Sequence, residues 1–190
     1  MILSLALYFL VMTVTPGPNN MLLTASGARF GYKKTFPLLL GIVLGMVSLI
    51  TFTSLGLGYL FERFPVLQKV LKITGSAYIL YLAYKVAVSA GGPKSTGEED
   101  AARPMTLLNG ILFQYANPKA YLMSITAVSV YNLNPIQTVL IFICIAPFCI
   151  SLWALFGTVL GRLLGTGRSG RPISMALGGV TAASVLFIWI

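Results

Sequence analysis

The sequence has no histidine and only four acidic residues in 190. Without histidine it lacks the commonest metal ligand and the usual proton shuttle near neutral pH. No acid lies inside a long apolar stretch: Glu62 closes one, and Glu98, Glu99 and Asp100 cluster in a polar gap. Metal hydrolysis wants histidine or acid ligands, and nucleophilic catalysis wants an activating base. We therefore assign no catalytic residue, no metal site and no cofactor, and read the chain as something other than an enzyme. Cysteine is scarce as well. Cys144 and Cys149 stand five apart in an apolar run, with no CxxC spacing and no third ligand nearby. They read as buried thiols that pack like small hydrophobes.

Charge is low overall. Only 9% of the residues are charged, against about 25% in an ordinary soluble domain. No Lys or Arg precedes the apolar opening Ile2–Val14, so it lacks the positive leader of a cleaved signal and reads as a first span. Alternating apolar–polar ten-residue strands are absent too, which argues against an outer-membrane barrel.

What remains is apolar: 57% of the chain is hydrophobic and the mean hydropathy is +0.88. Six stretches stand out, at 2–27, 36–60, 67–90, 105–130, 135–161 and 172–190. Each is near or above the ~20 residues that a helix needs to cross a bilayer. The expected fold is an all-α polytopic bundle of six transmembrane helices, a single transmembrane domain over 1–190. Its halves, 1–90 and 105–190, are joined by the Gly- and Pro-containing loop 91–104.

The basic residues lie in the short gaps, so the net charge of +9 points to membrane loops and not to nucleic acid. Nine of them (Arg29, Lys33, Lys34, Lys85, Lys94, Arg103, Arg162, Arg168 and Arg171) fall on one side of the six-span layout, and Arg63, Lys69 and Lys72 on the other. The positive-inside rule then places the first side in the cytoplasm and both termini outside.

Proline interrupts two spans. Apolar sequence leads into Thr15-Pro16-Gly17-Pro18-Asn19-Asn20 in the first, and into Gln114-Tyr115-Ala116-Asn117-Pro118-Lys119 in the fourth. Proline lacks an N–H and clashes with the preceding turn, so both helices should break. Pro118 follows Pro16 by 102 positions, and Gly178-Gly179 follows Gly75-Ser76 by 103. Two halves of three spans each must run in opposite directions, which is the 3+3 inverted-repeat plan of many carriers.

Broken helices at membrane depth are tolerated inside protein or against a watery cavity. New helix starts near Pro18 and Pro118 offer free N–H groups and a positive dipole end to a carboxylate. Asn19, Asn20, Gln114 and Asn117 add amide donors and acceptors suited to the two charged groups of an amino acid. A plain proline kink held by packing is the alternative. Lys119 is the one basic residue well inside a span. It either snorkels to the interface, attracts a substrate carboxylate, or makes a gate bond to the first break. Tyr78, Tyr81 and Tyr84 read as packing or interface residues. Gly41-x-x-x-Gly45 and Gly157-x-x-x-Gly161 read as close helix contacts.

Taken in order, Thr15-Pro16-Gly17-Pro18-Asn19-Asn20, Gly31, Gly41-x-x-x-Gly45, Gly75-Ser76-Ala77-Tyr78-x-x-Tyr81-Leu82 and Phe113-Gln114-x-x-Asn117-Pro118-Lys119-Ala120 resemble the lysine exporter (LysE/RhtB) family of amino-acid efflux proteins. The resemblance spans nearly the whole chain. Within the family, Asn-Asn after Pro-Gly-Pro and the short C-terminal end are most similar to the cysteine/O-acetylserine exporters. It implies export of amino acids or derivatives across the bacterial inner membrane, driven by the proton-motive force. The candidate substrate site, read from the two breaks, comprises Pro16, Gly17, Pro18, Asn19, Asn20, Gln114, Asn117, Pro118 and Lys119. The partners are the amino-acid substrate and the lipid bilayer; association into a homo-oligomer is left open. A channel or a binding-only membrane subunit is the alternative. One departure matters: many members carry Asp directly after Pro-Gly-Pro, and an amide at Asn19 cannot carry a proton. The membrane field acting on a charged substrate, at about 2.3 kcal/mol per charge per 100 mV, is the other energy source.

Overall fold

The computed structural model describes residues 1–57, 63–88, 104–131, 133–164, 170–183 and 185–186. Glu62, Glu98, Glu99, Asp100, Lys94, Arg103 and Arg168 lie outside the described residues, as does the loop at 91–103.

Eight α-helices and no strand are present among the described residues. They are α1 (Ile2–Val14), α2 (Pro18–Phe30), α3 (Tyr32–Phe52), α4 (Pro65–Val88), α5 (Leu107–Ala116), α6 (Pro118–Tyr131), α7 (Pro135–Leu164) and α8 (Gly170–Ala183). A π-helical turn, Thr53–Leu57, continues α3 and ends where Gly56 takes φ +105°. Among the described residues, each of the six apolar stretches holds one helix or one broken pair. By length and composition α3 and α7 are apolar enough to cross a membrane, and α1 with α2 would make a third span bent by 51°.

Both breaks fall where proline dictates. The residue before a proline is pushed out of the helical region. Thr15 has φ −62°, ψ 134°, Gly17 has φ −178°, ψ 178°, and Asn117 has φ −99°, ψ 106°. The first break therefore covers three residues and the second only one.

The bundle is apolar outside and carries a polar thread inside. Leu3, Leu7, Leu44, Phe148 and Leu155 are exposed, whereas Asn20, Thr24, Thr35, Gln114, Asn117 and Ser124 are buried. Inter-helix bonds satisfy many of these groups. Ser26 meets Thr35 at 2.9 Å, Ser48 meets Tyr115 at 2.8 Å, and Thr53 meets Ser124 at 3.1 Å. In lipid, helix association relies on such bonds and on close packing.

Two glycine seams supply the close packing. Along α2 and α7, a Cβ on Gly157 or Gly161 would overlap the backbone carbonyl of Thr24 or Ala28, and one on Gly27 would overlap that of Ala154. Along α3 and α5, a Cβ on Gly41 would overlap the carbonyl of Leu107, and one on Gly110 that of Leu38. The α2–α7 and α3–α5 pairs are the most extensive helix contacts. Gly75 brings α4 against Ala116 at the second break, whereas Gly178 brings α8 against Ala83 and Ala87 of α4. These two matched glycines thus meet different partners.

The remaining aromatics pack. Tyr78 lies 6.4 Å from Tyr81 and 6.1 Å from Phe113. Cys149 is buried as expected, but Cys144 faces outward; the apolar run holding both is helix α7, and a five-residue separation puts them on different faces.

Candidate functional site

The two breaks meet. Asn19 at the start of α2 exchanges a reciprocal pair of bonds with Gln114 near the end of α5. Asn19 Nδ2 donates to Gln114 Oε1 at 3.2 Å, and Gln114 Nε2 donates back to Asn19 Oδ1 at 2.9 Å. Asn117 Nδ2 adds a third bond to Asn19 Oδ1 at 3.0 Å. These carboxamides tie together residues 95 and 98 positions apart.

Asn20 points the other way. Its Nδ2 donates to the carbonyls of Thr13 at 2.8 Å and Thr15 at 2.9 Å, carbonyls that the end of α1 leaves without intrahelical partners. Two carbonyl acceptors on one side fix which amide atom is nitrogen, since a flip would set Oδ1 against both. Asn20 Oδ1 then stands buried and unpartnered, the single such side-chain atom among the described residues. The residue is only 3% exposed. A buried acceptor left empty is costly and needs a reason.

Lys119 crosses to the first break. Its Nζ donates to Thr15 O at 3.1 Å and lies 3.5 Å from Pro16 O. Of the three expectations for this side chain, the structure shows the bond to the first break. Gly17 makes room for it, because a Cβ there would sit 3.2 Å from both Cδ and Nζ of Lys119.

The two new helix starts differ. Asn117 caps α6: its Oδ1 accepts from Lys119 N at 3.1 Å, and its carbonyl accepts from Ala120 N at 3.0 Å. The N–H groups expected to be free there are used. Gly17 gives α2 no side-chain cap, so of the two starts only that of α2 lacks a side-chain cap.

A small cavity lies between the breaks, with about 30 Å³ of free space, room for about one or two water molecules. Gly17, Asn19, Asn20, Asn117 and Lys119 form its polar wall. Of the other residues expected in the site, Gln114 stands behind Asn19, and Pro16, Pro18 and Pro118 shape the backbone without lining the cavity. The apolar wall comes from Met12, Ile42, Met46, Met123, Phe142 and Ile150, and the sequence reading missed all six. Edge-to-face packing of Phe9 on Phe142, with centroids 5.3 Å apart, backs one side.

Residues 10–189 match the profile of the LysE type translocator family. The chain belongs to that family. Similar proteins include the cysteine/O-acetylserine efflux proteins of Escherichia coli (strain K12) and Shigella flexneri, each 29% identical over 178 residues, 90% of this chain and 88% of theirs. The protein of that name from Escherichia coli O1:K1 / APEC is 28% identical over the same length. No solved structure matches the chain. As a LysE type translocator it is a membrane transport protein and not an enzyme. The translocator's cavity, at about 30 Å³, is far smaller than an amino acid. Among the described residues that line it, Lys119 alone has an ionisable side chain.

Proposed function

We propose that this translocator is a secondary carrier that exports small neutral amino acids or their derivatives across the bacterial inner membrane. The observation that carries this reading is the junction of the two breaks: a cavity walled by both, with a buried acceptor on Asn20 that no described residue satisfies. The uncapped start of α2 suits a carboxylate, and the empty Asn20 Oδ1 with the terminal carbonyls of α1 suits an ammonium. Pro16, Gly17, Pro18, Asn19, Asn20, Gln114, Asn117, Pro118 and Lys119 form the site or its frame. A polypeptide of one domain with six spans arranged as a 3+3 inverted repeat, and with both termini periplasmic, fits the charge pattern and the paired breaks. The names of the similar proteins make cysteine and O-acetylserine the first substrates to test. Proton coupling does not run through position 19, because an amide there carries no titratable proton.

The test is efflux from loaded vesicles across the twenty amino acids and O-acetylserine, comparing wild type with Asn20→Leu and Asn117→Ala. We expect at least a tenfold loss for both variants and saturable counterflow for the wild type. Unimpaired variants would overturn the site, and flux without counterflow would make the protein a channel.

A further inference from the structure

The end of α1 is a cluster of acceptors. The carbonyls of Thr13, Thr15 and Pro16 have lost their intrahelical partners to the break, and the negative end of the α1 dipole falls there. Asn20 Nδ2 takes Thr13 O and Thr15 O. The Lys119 ammonium takes Thr15 O at 3.1 Å and approaches Pro16 O at 3.5 Å. An alkylammonium has three N–H donors, and these two carbonyls are the acceptors recorded for it. Asn20 and Lys119 both line the cavity, and Asn20 Oδ1 is buried with no donor among the described residues. The site thus holds a cation of its own on a long hinged stem.

We propose that the Lys119 ammonium is a tethered stand-in for the substrate's own ammonium: it bridges the two breaks while the site is empty and gives up the α1 carbonyls when an amino acid enters. This rests on the substrate site proposed above. A free α-ammonium offers the same charge and three donors without the tether, and so can replace Nζ on the two released carbonyls. The stem can withdraw because its neighbour at position 17 is a glycine, which leaves Lys119 no side chain to climb over. Three things follow. Lys119 competes with the substrate and does not ligate it. Selectivity for amino acids over their deaminated or N-acylated relatives comes from this exchange of one cation for another. The bridge also resists separation of the breaks when no substrate is present.

Competition and ligation predict opposite signs. A latch closed nine-tenths of the time weakens apparent affinity about tenfold, so its removal strengthens it by about that factor. The experiment measures half-saturation and maximal rate of counterflow in proteoliposomes, with the amino acid that wild type carries best as the probe. Lys119→Met should lower the half-saturation concentration several-fold. Lys119→Arg keeps the charge and adds donors in a planar fork, and should raise it. Alongside, N-acetylated and carboxyl-amidated forms of the probe compete against wild-type uptake. The amide, which keeps the ammonium, should inhibit, and the N-acetyl form should not. A raised half-saturation in Lys119→Met, with Asn20→Leu and Asn117→Ala also impaired, leaves the site standing and overturns the latch. If none of the three substitutions moves half-saturation, the site itself falls. Should Lys119→Met fail to assemble, the wild-type arm decides alone: inhibition by the N-acetyl form equal to that by the amide refutes the exchange.

Discussion

The clasp of Asn19 on Gln114 should be measurable as a coupling energy. Gln114 is fully buried, and it makes both of its bonds to Asn19, at 3.2 and 2.9 Å. Gln114→Leu keeps roughly the same volume but removes both bonds and strands the Asn19 N–H. A stranded buried donor costs about 1–3 kcal/mol, and Asn19 is only half-buried, so we expect about 1–2 kcal/mol. Asn19→Leu removes those bonds and also the one from Asn117 at 3.0 Å. The Asn117 loss is common to the Asn19 single variant and the double, so it cancels in a double-mutant cycle. Inter-helix hydrogen bonds in a bilayer average about 0.6 kcal/mol each, because the unfolded chain also finds partners there. Two such bonds give about 1 kcal/mol. The double variant Asn19→Leu/Gln114→Leu should therefore cost about 1 kcal/mol less than the sum of the singles. Reversible unfolding in mixed micelles, run on all four proteins, measures this. Additivity within about 0.3 kcal/mol would mean that the clasp contributes nothing and that packing alone joins the breaks.

Three further outcomes follow. Gly157→Val sets a Cβ against the Thr24 backbone carbonyl, which cannot rotate away, so the α2–α7 seam must open at a cost of about 1–3 kcal/mol or more; an unchanged melting temperature in detergent would refute the seam. Gly179→Ala is its control: nothing lies within 4 Å of the added Cβ, and helix propensity should raise stability by up to about 1 kcal/mol. Asn19→Asp introduces the first carboxyl on the cavity wall, and efflux should then vary with pH across about 4 to 6, where an aspartate titrates. A profile identical to that of the wild type over that range would count against position 19 facing the transport site.

The backbone of the site was legible because proline acts locally. Thr15, Gly17 and Asn117 each precede a proline and are extended, although Pro37 and Pro147 sit inside intact helices. The glycine pairs were legible as contacts but not as addresses. Nothing in the spacing of Gly41 and Gly45 says that they meet α5, or that Gly157 and Gly161 meet α2. The cavity's apolar wall was illegible for the same reason. Met12, Met46 and Met123 look like any other apolar residue of a span, and only the rotation of each helix against its neighbours turns them inward. The empty acceptor on Asn20 was equally hidden, since it depends on two carbonyls that the break frees and on which side the amide then faces.

The breaks also have a mechanical meaning. Bending an intact helix stretches its ladder of hydrogen bonds, and that resistance is what makes a helix a stiff rod. At Pro16, Pro18 and Pro118 the ladder rungs are already missing for want of an N–H. Swinging α2 against α1, or α6 against α5, stretches no rung that the fold depends on. The glycine seams meanwhile lock α2 to α7 and α5 to α3. The protein thus joins its glycine-seamed helix pairs at breaks where no backbone rung resists bending, and the side-chain bonds that span the breaks hold their angle.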